Sequence, residues 1–202
     1  MTSSDEIAAL ERAKRAIVKV AGGRGFVVEI PRPRVGTEPV VVTAAHCLPR
    51  LPPAHGMSST QERTYANLVG PLDALRATVW AECLFVDVIA DLAILGGPDV
   101  QELNTESEEY AELIESAPPL GIRASTGGAA WILGLEGHWL KCTLERHRRG
   151  TFNLTAGAKA IQSGMSGSPI IQGGAAVGVV CLDSISPSLA GGLPAWMLRG
   201  NE

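Results

Sequence analysis

The chain has little with which to hold a metal or a redox pair. Its four cysteines, Cys47, Cys83, Cys142 and Cys181, are scattered, with no Cys-x-x-Cys spacing. Neither zinc nor redox-pair spacing appears, and no metal or organic cofactor is expected. Excess positive charge is missing too: at a formal net charge of −4 the protein has no general attraction for nucleic acid or for an anionic membrane surface. No apolar run is long enough to cross a bilayer, and the longest, residues 173–182, is short and rich in glycine. The first twenty residues are charged and lack the apolar core of an export signal, so a cytoplasmic protein with reduced thiols is expected. Internal repeats and low-complexity tracts are absent as well.

What is present suits a compact, turn-rich protein: 202 residues, 46% hydrophobic and 19% charged, with 23 glycines. Ser3-Ser4-Asp5-Glu6 followed by Ile7, Leu10, Lys14 and Ile17 reads as a capped amphipathic helix ending near Arg15. A strand over residues 16–20, a flexible Gly22-Gly23-Arg24-Gly25 turn and a strand over 26–30 follow. Pro31, Pro33, Gly36 and Pro39 predict a loop before a β-branched strand at 40–43. Residues 49–71 read as mostly surface loop, and 77–81 with 84–88 as a strand pair. The acidic stretch 99–116 carries Leu103, Tyr110, Leu113 and Ile114 at helical spacing and reads as a short exposed helix connecting two halves. Short strands are expected again at 130–135, 140–144, 150–154, 168–171 and 175–182. Many short strands with glycine-rich turns make the fold class all-β, a barrel or a sandwich.

Three local frames carry chemistry. In Ser163-Gly164-Met165-Ser166-Gly167-Ser168-Pro169, glycines two before and one after Ser166 suit a tight turn that projects one hydroxyl. There the N–H groups of Gly164 and Ser166 can converge on one point as an oxyanion hole. His46 ends the apolar run Val40-Val41-Val42-Thr43-Ala44-Ala45, and Asp91 opens Leu92-Ala93-Ile94-Leu95. Alone, His46 would be a satisfied structural histidine and Asp91 a strand-end cap. Together they give His, Asp, Ser in chain order, each in its own frame.

These frames resemble the three signature blocks of trypsin-like serine peptidases of a bacterial, cytoplasmic type. Gly23-Arg24-Gly25-Phe26-Val27-Val28 resembles the strand that precedes the histidine block, and the likeness runs from about residue 16 to 198. It implies two antiparallel six-stranded β-barrels, chymotrypsin-like, with the active site in the cleft between them. The expected division is an N-terminal helix (1–15), a first barrel with His46 and Asp91 (16–100), an acidic connection (101–118) and a second barrel with Ser166 (119–202). Ser166 would be the nucleophile, His46 the general base and then acid, and Asp91 the group that orients the imidazole. By the same resemblance the specificity pocket is walled by Ala160, Ile161, Gln162 and Ser163 and by Val180, Cys181, Leu182 and Asp183. Ala160 lies where trypsins carry aspartate, so a small or medium apolar side chain is expected before the cut, with Asp183 an alternative selector of a basic one.

The pattern is departed from twice. Secreted relatives bridge the cysteine after the histidine to the preceding strand, but residues 25–30 contain none, so Cys47 is expected as a buried free thiol. Met165 replaces the aspartate of zymogen-type relatives, and Arg15-Ala16-Ile17-Val18 only faintly resembles their activation site. The implied activity is endopeptidase, cutting selected protein or peptide partners. The rival from another class is a non-catalytic peptide-binding module on the same fold. A triad esterase is a third reading, though the Gly-x-Ser-x-Gly elbow and βα alternation of α/β-hydrolases are missing. His55, His138, His147 and the tryptophans Trp131, Trp139 and Trp196 have no comparable frame. The chain could also be one domain of a larger protein or answer to a regulatory partner.

Overall fold

The computed structural model describes residues 4–32, 36–53, 59–146, 151–155, 157, 160–181 and 189–198. Two closed, antiparallel six-stranded barrels account for most of them. The first is built from β1 (Ile17–Val20), β2 (Gly23–Arg32), β3 (Gly36–Thr43), β4 (Thr64–Pro71), β5 (Val79–Asp87) and β6 (Leu92–Gly96), in the spatial order β1-β2-β3-β6-β5-β4. The second holds β7 (Gly128–Leu133), β8 (Trp139–Arg146), β9 (Thr151–Leu154), β10 (Pro169–Gln172), β11 (Ala175–Val180) and β12 (Leu189–Gly192), ordered β10-β11-β12-β9-β8-β7. Each sheet closes on itself, so every strand has a neighbour on both sides over part of its length.

Runs buried on both faces supply much of the interiors. Phe26, Val28, Val40, Val42, Leu68, Ile94 and their neighbours are fully buried in the first barrel. Ile132, Leu144, Leu154, Met165 and Ile170 fill the second. Helix α1 (Ser4–Arg15) straps the two together. Its Leu10 and Ala13 join the larger core, and Glu6 accepts a 2.8 Å bond from the Trp131 indole of β7. Residues 117–123 lie between the barrels, with Leu120 N–H donating to Val27 and Arg123 N–H to Ala176.

Several local expectations give way. Gly23-Arg24-Gly25 is not a flexible turn but the start of β2, paired with Val20, Lys19 and Val18; the turn is Ala21-Gly22, with Ala21 at φ 45°. Of the predicted proline loop, Pro33 lies outside the described residues, and the described part is a ribbon in which Pro39 pairs with Glu29 and Pro31 with Thr37. Neither β1 nor β6 extends that far, and proline is tolerated on such an unpaired edge. The predicted loop 49–71 contains α2 (Thr60–Arg63) and all of β4. A bulge between Tyr65 and Val69, with Asn67 at φ 54°, breaks the period-2 signal there. The predicted strand pair 77–88 is the single strand β5, bulged between Cys83 and Phe85. The acidic helix, α3 (Asn104–Glu115), buries Tyr110, Leu113 and Ile114 and so is exposed on one face only. β12 lay outside every sequence-level expectation.

Candidate active site

Each polar side chain of the site sits where a buried element stops. The second half of strand β3, residues 40–43, runs fully buried into Ala44. One 3₁₀ turn, Ala45–Cys47, then follows. It keeps Ala45 and Cys47 inside and swings His46 outward, leaving its side chain 41% exposed. The antiparallel pairing Thr43↔Ala93 puts the residues just beyond it, Ala45 and Asp91, across from each other. Ala45 N–H accordingly donates to the Asp91 carbonyl at 3.2 Å. Asp91 ends a turn held by Asp87, whose Oδ1 accepts from Ile89 and Ala90 N–H at 2.9 Å. Asp91 itself adopts φ 50°, a left-handed conformation that aspartate tolerates better than most residues.

Both carboxylate oxygens of Asp91 serve His46. Oδ1 accepts from the His46 backbone N–H at 3.0 Å, and Oδ2 lies 2.7 Å from Nδ1. A carboxylate only accepts, so Nδ1 carries a proton and Nε2 is left as the acceptor in neutral imidazole.

Ser166 stands at the corner between two tight turns that share Met165. Met165 N–H donates to Gln162 O at 3.1 Å across Ser163-Gly164, with Gly164 at φ 93°. Ser168 N–H donates to Met165 O at 3.0 Å across Ser166-Gly167, with Gly167 at φ 80°. A positive φ at the third position alone makes both type II turns, which favour glycine there. Neither turn uses the N–H of Gly164 or of Ser166, and among the described residues neither donates to a backbone carbonyl. Met165 is buried, and its Sδ accepts from Gln162 N–H at 3.4 Å, which pins the first turn from inside the barrel. Of the sequence-level pocket residues, Ile161 and Val180 pack in the second core, Cys181 is buried, and Gln162 and Ser163 are exposed, with Ala160 between. Leu182, Asp183, His55 and His147 lie outside the described residues.

The two half-sites meet through backbone. Arg24 N–H donates to the Ser166 carbonyl at 2.8 Å. An ideal Cβ on Gly23 would stand 2.7 Å from both Cys47 Sγ and Ser166 O. Gly23 is therefore the residue that faces Cys47, and it is no cysteine either. Gly167 N–H donates to Val180 O at 2.8 Å, and the Cys181 thiol reaches the Asp91 carbonyl at 3.8 Å. Burial, opposed in part by a hydrogen bond with Thr43, pushes the Cys47 thiol up to about 11. Burial and then the Asp91 charge push Cys181 up to about 12. Both stay neutral near pH 7, so neither is a competing nucleophile beside the serine. Among the described residues, Ser166 Oγ makes no hydrogen bond to His46, and no group of three or more His, Cys, Asp or Glu could hold a metal ion.

Sequence reasoning missed Arg24, Thr43 and the facing role of Gly23. A cation between two glycines at the head of an apolar strand was the signal available.

No protein-family model matches the chain, and no curated protein matches it. Among solved structures it is similar to the NSP4 proteinase of equine arteritis virus (21% identity, TM-score 0.53, covering 90% of this chain and 73% of that one). It is also similar to a serine endoprotease from Yersinia pestis (16% identity, TM-score 0.53), covering 96% of this chain but only 63% of that one. A third is the inactive serine-to-alanine form of Rv3671c from M. tuberculosis (18% identity, TM-score 0.51, covering 95% of this chain and 87% of that one). At these identities the likeness speaks for the fold: two closed six-stranded barrels in the chymotrypsin-like arrangement.

Proposed function

We propose that this chain is a serine endopeptidase acting through Ser166, His46 and Asp91. The observation that carries the reading is the Asp91–His46 pair at 2.7 Å, in one structure with a serine on a turn corner beside two N–H groups that, among the described residues, no backbone carbonyl uses. Ser166 Oγ attacks the scissile carbonyl while His46 Nε2 takes its proton, and the same imidazolium then protonates the departing amine. Asp91 holds the tautomer and stabilises the imidazolium. The N–H groups of Gly164 and Ser166 receive the oxyanion, an interaction typically worth about 100- to 1000-fold in rate. Water then releases the acyl group from Ser166.

The protease names of the structural neighbours favour this reading over an esterase. Four free, buried cysteines, with glycine facing Cys47, support a reducing, cytoplasmic setting and limited cutting of selected partner proteins. For the bond before the cut, an apolar side chain is favoured by Ala160 and Ile161.

A second reading, a latent or non-catalytic peptide-binding module, is favoured by one observation: Ser166 Oγ is not bonded to His46 in this structure. Catalytic hydrogen bonds commonly tighten only when substrate binds, so the first reading stands ahead. A fluorophosphonate probe separates the two. Covalent labelling of the wild type, absent from Ser166→Ala and nearly so from His46→Ala, is expected. A folded wild type that takes no label, yet binds peptides, would establish the second reading.

A further inference from the structure

The side chain of Arg24 stands out because nothing in the proposed chemistry uses it. It is 6% exposed, and among the described residues no carboxylate pairs with it. Its Nη1 donates to Leu133 O, and Nη2 to Gly134 O at 3.1 Å. These carbonyls close β7 in the opposite barrel and open the 134–138 turn, where Gly134 N–H donates to His138 O at 2.8 Å. Leu135 of that turn lies beside Gly164, 3.5 Å from where a Cβ would be.

The backbone of the same residue serves the serine. Arg24 N–H donates to Ser166 O at 2.8 Å, and Arg24 O accepts from Thr43 Oγ1 at 2.7 Å. Arg24 O also stands 1.9 Å from an ideal Cβ on Gly167, so it fills the space against that turn. One residue of the first barrel therefore grips the second at two places, the Leu133 and Gly134 carbonyls and the Ser166 turn. A buried guanidinium is costly to desolvate. Two charge-assisted bonds to carbonyls fix its direction more firmly than a flexible ammonium would.

We infer that Arg24 is a positioning residue: its guanidinium locks β2 against the β7–β8 turn and so sets the Ser166 turn, with its two N–H groups, in place. The inference rests on the serine-hydrolase reading for its effect on rate, but its structural half does not.

The test uses Arg24→Met, which keeps the length and the backbone N–H, and Arg24→Lys, which keeps the charge. Amide exchange is followed at Arg24, Met165 and Gly167, with Val27 as control. In Arg24→Met the turn amides are expected to exchange at least about tenfold faster while Val27 is unchanged. Labelling by the fluorophosphonate should fall about tenfold or more, with kcat on a peptide ester lowered and KM kept, and Arg24→Lys should recover only part of it. Unchanged exchange at the turn amides in Arg24→Met overturns the inference. Equal loss in turn and control amides reduces Arg24 to a general stabiliser and overturns it too. Should the wild type fail to label, the proposed function fails, and the exchange arm still decides on Arg24.

Discussion

Replacing Gly167 by alanine and replacing Gly164 by alanine are the same chemical change at two positive-φ positions, yet opposite outcomes are expected. Gly164 has room: at φ 93° its Cβ would meet Leu135 at 3.5 Å and the Gly22 carbonyl at 3.7 Å. Only the left-handed backbone opposes alanine, at roughly 1–2 kcal/mol. Gly167 adds a collision. Its Cβ would stand 1.9 Å from Arg24 O and 2.5 Å from Thr43 Oγ1, where real contacts stay beyond 3.0 Å. The two segments must part by about 1 Å, which strains the Thr43–Arg24 and Arg24–Ser166 bonds and leaves buried groups short of partners at roughly 1–3 kcal/mol each. Gly167→Ala should therefore cost about 4–6 kcal/mol in urea unfolding, a large share of an ordinary domain's stability.

Activity should rank the other way per unit of stability lost. Alanine at 164 relaxes by rotating the 163–164 peptide toward a turn without positive φ, which carries the Gly164 N–H off its aim. Fluorophosphonate labelling should then fall about 100-fold or more, in a protein destabilised by only about 1–2 kcal/mol. Two results refute the reasoning. Equal destabilisation by the two variants would mean that Arg24 O does not press on Gly167. Wild-type labelling by Gly164→Ala would mean that its N–H is no oxyanion donor.

The thiols give a pH prediction. Burial raises Cys47, Cys83 and Cys142 from 9.0 to about 11 and Cys181 to about 12. A raised thiol pKa means that the unfolded chain ionises first. Stability is therefore intact below pH 9 and is lost as pH climbs through 9 to 11, by up to about 2–3 kcal/mol per thiol. Urea midpoints flat from pH 8 to 11 would contradict this, as would fast native reaction of any thiol with a disulfide reagent at pH 8. Tyr110→Phe removes the 2.9 Å bond to Leu95 O and should cost about 1 kcal/mol. Labelling should be unaffected, because Leu95 lies four residues along β6 from Asp91, roughly 13 Å of strand; a slower label would show that α3 reaches the site.

How much of this was legible in the sequence depended on whether a residue's partner was local. Val40 to Val42 and Leu92 to Leu95 are unbroken apolar runs, buried on both faces in the structure, and β-branched residues mark the first of them as a strand. β4 hid because its bulge at Asn67 shifts Leu68 and Val69 out of step with Tyr65, and period-2 reading cannot count across an inserted residue. Pro31 and Pro39 misled because the rule against proline in strands holds for ladders with neighbours on both sides. β2 and β3 outrun theirs at that end.

The site divides along the same line. His46, Asp91 and Ser166 were readable because each ends or interrupts an element in a way that its neighbours in sequence dictate. Gly167 could be seen as a turn glycine, but not that it is required twice, once for φ and once for the Arg24 carbonyl against it. Arg24 was read as part of a loop because its flanking glycines signal flexibility when no fold is in view. In the structure those glycines do the opposite work. A Cβ on Gly25 would strike Val41, Val20 and the Val42 carbonyl, and one on Gly23 would strike Cys47 and Ser166. The bare backbone is what lets β2 pass close enough for Arg24, from the first barrel, to hold both the serine turn and the Leu133 and Gly134 carbonyls of the second. Gly-Arg-Gly is a close-approach motif with a cation at its centre. Its meaning lies in residues 109, 110 and 142 positions away along the chain, a distance no local pattern encodes.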